Sequence, residues 1–233
     1  MINKVKCIVK LSLIDLRLMW LVLYLKHNKK TYLGYPQLLS LVEGFFCVKS
    51  RHSAPLQIAE FGVGRGGSAM VLAWLVKRYG GTLTLYDIFG QIPAPTTIDG
   101  ERAQQRYKTI LTEESSEYYG NISNLKQLIV NEISKICPLE QIRFVEGRYE
   151  ETLEQLSDRC DYSLVHVDCD WYESYRAVLA YLHNNIRPGA IIQLDDYSNW
   201  IGSQKAVTDS SWLASYRSWL VEGTLVVDTE SLK

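Results

Sequence analysis

The sequence predicts a Rossmann-like α/β domain, a mostly parallel central sheet with helices on both faces, preceded by an N-terminal helical extension. Three stretches carry that prediction. Residues 56–61 (LQIAEF) form a short apolar run that passes directly into a glycine-rich turn and then a helical segment, 69–78. Residues 162–197 read as strand, helix and strand, and both strands end in aspartates. Between them lie two more short apolar runs, 82–86 and 142–145, each ending in an acidic residue. Strands alternating with helices point to parallel pairing through right-handed crossovers, which gathers the strand ends on one edge of the sheet.

Composition limits the function classes. The chain has 233 residues, 47% hydrophobic and 22% charged, which suits one sizeable packed domain. A net charge of −1 without a long basic run argues against a protein held by nucleic-acid phosphates. Five cysteines, an odd number with no CxxC pair, suggest reduced thiols and a cytoplasmic location.

The elements follow in chain order. Residues 1–54 form the helical extension and 55–233 the core domain. Within the extension, 8–26 is apolar but interrupted by Lys10, Asp15 and Arg17, so it is too broken to span a bilayer or to act as a signal peptide. It reads as an amphipathic helix that packs on the core domain or on a second subunit, and its Leu11, Leu18 and Val22 face should mediate self-association, most simply as a homodimer. Contact with a membrane surface through Met19, Trp20 and Tyr24 is the alternative. A further helix is expected over 36–48. In the core, 88–137 is a long connection with helices over 101–111 and 123–136; it is either an active-site lid or scaffold. A helix over 150–156, a turn at Pro188-Gly189, a strand over 190–194 and a late strand over 223–228 complete the prediction.

The glycine turn admits two cofactors. Gly62, Gly64 and Gly67 fit GxGxxG with Asp87 further on, a dinucleotide pattern. Glu60, Gly62, Gly64 and Gly66 fit the ExGxGxG turn of S-adenosylmethionine enzymes, with Ser68 opening the helix. A carboxylate before the first glycine would repel a pyrophosphate but attract the ammonium of S-adenosylmethionine, which favours the latter. Asp87, at the end of its strand, is placed to accept both ribose hydroxyls, and Gly147 and Tyr149 lie where an adenine would reach the third strand end.

Asp168, Asp195 and Asp196 are brought together by the same topology. Three carboxylates in one place repel unless a cation or protons neutralise them, and hard oxygen donors suit Mg²⁺, Ca²⁺ or Mn²⁺. Asp170 reads as a helix N-cap with Glu173 reaching back. His166 is either a group behind the metal or a buried structural histidine.

The segments EFGVGRGGS, EGRYEETL, HVDCDWYES and PGAIIQLDDY together resemble the macrocin O-methyltransferase (TylF-type) family over about residues 30–207. The resemblance implies the class I S-adenosylmethionine methyltransferase fold, Mg²⁺ held by Asp168, Asp195 and Asp196, and methylation of a sugar hydroxyl. It also places Thr31-Tyr32 near the cofactor mouth. The chain departs from the family at Gly64, where Trp is usual, and in its short tail, where the last histidine is His183. The expected chemistry is direct methyl transfer, with Asp168 as both metal ligand and proton acceptor. A catechol-like or other small diol as acceptor, and a non-catalytic S-adenosylmethionine-binding subunit, remain the alternatives. The intact aspartates argue against the second.

Overall fold

The computed structural model describes residues 2–112, 118–156 and 159–230; part of the long connection, 113–117, lies outside them. The described residues form a seven-stranded sheet in the order β3-β2-β1-β4-β5-β7-β6. Strands β1 (Gln57–Phe61), β2 (Thr82–Asp87), β3 (Ile142–Glu146), β4 (Tyr162–Val167) and β5 (Ile186–Leu194) are mutually parallel. β6 (Arg217–Val221) and β7 (Thr224–Asp228) form a hairpin that adds antiparallel to β5. Chain order reverses between β1 and β4, so the crevice for a ligand opens at their carboxyl ends.

The apolar N-terminal stretch is two helices, α1 (Ile2–Ile14) and α2 (Leu16–His27), rather than one. Asp15 divides them because its Oδ1 accepts the N–H groups of Arg17 (2.7 Å) and Leu18 (3.3 Å), capping α2. Leu11, Leu18 and Val22, expected to pack either on the core domain or on a second subunit, are fully enclosed within this chain, so the first of those readings holds for them. They pack into one apolar core with α3 (Tyr35–Arg51) and α4 (Gly67–Tyr79), which covers one face of the sheet.

Two expectations in the second half need correction. Pro188-Gly189 is not the turn into a strand; both residues lie inside β5, where the β4–β5 register shifts and Gly189 takes φ +77°. Proline offers no N–H to the ladder and glycine tolerates positive φ, so the pair suits a bulge. The turn is made earlier, by Asn185, whose backbone N–H donates to Leu182 and side-chain amide to Tyr181. The helix expected over 150–156 is a single turn, α7 (Tyr149–Thr152). The remaining helices are α5 (Gly100–Thr112), α6 (Leu125–Ser134), α8 (Tyr172–His183) and α9 (Ile201–Asp209).

Three contacts lock the strand ends that carry the aspartates. Asp168 N–H donates to Phe61 C=O at 2.7 Å, and Asp195 N–H donates to Val167 C=O at 2.8 Å. From α8, the buried Tyr175 hydroxyl reaches the carbonyls of both Val167 and Asp195. A Cβ on Gly62 would lie 1.7 Å from the Asp168 carbonyl oxygen, and its φ is +91°, so glycine is required where β1 and β4 meet.

Candidate active site

Two adjoining clefts open at the carboxyl edge, sharing Gly62, Tyr119, Asp168 and Asp170. The first is lined by Gly62, Asp87, Gly147 and Tyr149, four of the residues assigned to the cofactor from sequence. Asp87, at the end of β2, is buried and organises the glycine turn. Its Oδ2 accepts Val63 N–H (2.5 Å) and Gly64 N–H (3.2 Å), and its Oδ1 accepts Phe89 N–H (2.6 Å). Burial pushes its carboxyl above the usual range, and those three N–H groups pull against the rise. Gly64, at φ +51°, leaves space that the Tyr119 ring borders, 3.8 Å from where a Cβ would sit. An aromatic from the long connection thus stands beside Gly64.

Not every predicted cofactor residue faces the cleft. Ser68 is buried in the first turn of α4, and Gly66, at φ +81°, packs against Ile129 of α6. Glu60 is fully enclosed, with Oε1 2.8 Å from His166 Nδ1, while its Oε2 has no partner among the described residues. Strand alternation is the reason: Phe61 and Ala59 join the core on one face, and Glu60 turns to the other. His166 is fully buried, and its Nδ1 is paired with Glu60. Burial alone would lower its pKa, but the bond to Glu60 and that residue's charge raise it.

The second cleft holds Asp168, Asp195 and Asp196, each offering an oxygen within 4.8 Å of the others. Asp195 is the best anchored, since its Oδ1 accepts from Gln37 Nε2 (2.9 Å) and from the Thr224 hydroxyl. Asp196, at φ +59°, accepts Asn199 Nδ2 at 3.0 Å. Burial, then the charges of Asp195 and Asp196, push the Asp168 carboxyl well above its ordinary range. Asp196 is raised by burial and by Asp195. Asp170 is not the helix cap expected from sequence. It sits at φ +57° with its carboxylate on the Trp200 indole N–H (3.0 Å). The cap role falls to Asp99, whose Oδ1 accepts Tyr172 N–H at 2.6 Å, and Glu173 pairs with Arg176 instead.

The surroundings place further residues at the site. Tyr32 and Tyr119 line the second cleft with ring centroids 6.3 Å apart, so Tyr32 stands at the cleft of the three aspartates rather than among the residues lining the first cleft. The long connection contributes Ile92, Arg106, Tyr118 and Tyr119, and Trp171 and Trp200 form an aromatic wall 5.2 Å apart. Gln37, Thr224, Asp99 and Trp200 were not singled out in the sequence. A buried threonine or glutamine carries no local signal when its partner lies 29 or 158 residues away.

The model of the family described as macrocin-O-methyltransferase (TylF) matches residues 37–213, which includes the aspartate cluster and the glycine turn. This chain belongs to that family. It is an S-adenosylmethionine-dependent O-methyltransferase with the class I fold. No curated protein matches it in sequence. Solved structures of similar fold include the O-methyltransferase NovP, with a TM-score of 0.72 and 20% identity over 87% of this chain and 82% of that one. The calicheamicin methyltransferase CalS11 gives 0.65 and 21% over 82% and 77%. The tomaymycin-pathway O-methyltransferase TomG of Streptomyces achromogenes, solved with S-adenosylmethionine, gives 0.56 and 13% over 94% and 91%. At these identities the likeness concerns the fold.

Proposed function

We propose that this methyltransferase acts on a hydroxyl of a sugar or a glycosylated small molecule, with Asp168, Asp195 and Asp196 holding a divalent cation on the acceptor side. The observation that carries the reading is the convergence of these three carboxylates in a cleft adjoining the cofactor cleft. The donor set fits such an ion. It is all oxygen, burial and then the neighbouring carboxylates raise the Asp168 and Asp196 carboxyls, and Asp195 is already oriented by Gln37 and Thr224. The cofactor fits the first cleft. Asp87 presents a carboxylate in that cleft, and Gly62 and Gly147 line it without side chains.

When bound, S-adenosylmethionine supplies an electrophilic methyl group, and the divalent ion lowers the pKa of a hydroxyl and orients it. The chain's own residues do the rest. Asp168, shared by both clefts, accepts the hydroxyl proton on a carboxylate oxygen, since it alone of the three aspartates lines the first cleft as well as the second. Asp195 and Asp196 hold the acceptor side, and Tyr119, Trp171 and Trp200 exclude water around it. A sugar acceptor is supported by the family description and by CalS11, described as a TDP-rhamnose 3′-O-methyltransferase.

A methyl-transfer screen over sugar nucleotides, glycosides and catechols tests the acceptor class. Turnover confined to sugar-bearing hydroxyls is expected. Turnover confined to catechols would replace the sugar with an aromatic diol and leave the metal assignment standing.

A further inference from the structure

The two N-terminal helices are apolar on both sides. Their inner face is core, whereas Val5, Val9 and Leu13 on α1 and Leu16, Trp20 and Tyr24 on α2 stay outside, each set at four-residue spacing along one face. Leu13 is 81% exposed, Leu16 61% and Trp20 66%. A soluble helix normally turns polar residues outward, so this second stripe calls for an occupant.

Charge indicates which occupant. Residues 1–30 carry seven lysines and arginines against Asp15 alone, a net +6, while the whole chain is −1, which leaves −7 on the remainder. Beside α2 lies a cleft lined by Arg17, Lys77, Arg78 and Lys135 together with Leu21 and Trp74. Its one acidic lining residue, Asp15, is engaged in capping α2. Lys10 is paired with Glu43 and Lys135 with Glu132, so both contribute less than Arg17, Lys77 and Arg78. Two copies meeting through this face would oppose like charges. An anionic bilayer supplies the opposite charge to the cleft and an apolar layer to the stripe. Helices of 13 and 12 residues are too short to cross, and no described helix is long and apolar enough to do so, so they would lie on the surface.

We propose that α1 and α2 dock this enzyme on an anionic lipid surface, with Leu16, Trp20 and Tyr24 entering the interface and the Arg17–Lys77–Arg78–Lys135 cleft receiving headgroups. The docked segment leads straight to the active site. A Cβ on Gly67 would lie 2.5 Å from Lys30 O and from Thr31, and Tyr32 lines the second cleft. The inference is independent of the acceptor and of the metal.

The experiment is vesicle co-sedimentation of the full-length chain on phosphatidylcholine alone and on phosphatidylcholine mixed with phosphatidylglycerol. Binding to the anionic vesicles and not to the neutral ones is expected. Leu16→Glu/Trp20→Glu should abolish it with the melting temperature and cofactor affinity kept. Lys77→Ala/Arg78→Ala should weaken it roughly 25-fold, about five-fold per charge. Inorganic phosphate should compete no better than chloride at equal ionic strength. Equal binding to neutral vesicles, no binding to either, or binding that survives Leu16→Glu/Trp20→Glu would overturn the proposal. A dimer in light scattering that this variant splits, without vesicle binding, would assign the face to a second copy. Complete displacement by phosphate would make the cleft a site for a free anion.

Discussion

Thr224→Val isolates what orients Asp195 in the proposed cation site. Thr224 is fully enclosed, and its hydroxyl donates to Asp195 Oδ1; Gln37 Nε2 lies 2.9 Å from both that oxygen and the Thr224 hydroxyl. Valine keeps the shape and removes only the donor. A hydrogen bond to a charged acceptor contributes ~1.5–3 kcal/mol. The partner of a metal-binding carboxylate typically accounts for about 10–100-fold in affinity. Gln37 remains in place, so the expected loss is a roughly 10–100-fold rise in the Mg²⁺ dissociation constant. Turnover at saturating Mg²⁺ should largely recover, and Thr224→Ser should behave like the parent because it keeps the hydroxyl. The assay is the Mg²⁺ dependence of methyl transfer alongside calorimetric Mg²⁺ titration. An unchanged Mg²⁺ dependence in Thr224→Val, or identical behaviour of the valine and serine variants, would refute this role for Thr224.

Three further outcomes follow from particular contacts. Asp168→Asn keeps an oxygen ligand but cannot take the proton, so single-turnover methyl transfer at saturating cofactor and Mg²⁺ should fall by ~10²–10⁴-fold and recover partly as pH rises; a near-normal rate would leave Asp168 a ligand only. Gly62→Ala must push β4 away from β1 and adopt positive φ, a cost of about 2–3 kcal/mol in denaturant unfolding. Asp228 is almost enclosed and paired by Arg51 at 2.8 Å; burial alone would raise its pKa, but Arg51, the Glu230 N–H and Arg217 outweigh burial and hold it below the usual range. A depressed folded pKa stabilises above the unfolded value and is lost as pH falls through the folded one. Arg51→Ala should therefore cost about 3 kcal/mol at neutral pH, a penalty that shrinks below about pH 4 in urea melts taken across pH.

The parts of the site legible in the sequence were those that a strand end determines. Asp87, Asp168, Asp195 and Asp196 each follow an apolar run, and parallel crossovers leave such ends little choice of edge. Gly62 was legible as a glycine, but the close approach of the Asp168 carbonyl, which also excludes a Cβ there, has no signal in the local sequence. What failed depended on partners distant in sequence. Asp170 looked like a cap until Trp200 took its carboxylate, and Asp99 supplied the cap from another segment. The Pro188-Gly189 pair reads locally as a turn, and only the neighbouring β4 reveals a bulge. β6 went unseen because most of its residues are exposed and it lacks a buried alternation. Leu11, Leu18 and Val22 are legible as buried positions but not as one helix face, because Asp15 divides them between α1 and α2, and they pack with α3 and α4 of the same chain.

The central claim is that Asp168, Asp195 and Asp196 form one divalent-cation site required for methyl transfer. Its most direct test is methyl transfer by the chelator-treated enzyme, with and without added Mg²⁺, beside calorimetric Mg²⁺ titration of the parent, Asp195→Ala and Asp196→Ala. The account predicts that chelation abolishes turnover and Mg²⁺ restores it. One ion should bind per parent chain, and each variant should lose both the ion and turnover while keeping S-adenosylmethionine affinity and the fold. Full turnover in excess chelator, or either variant active at the parent rate, would contradict it.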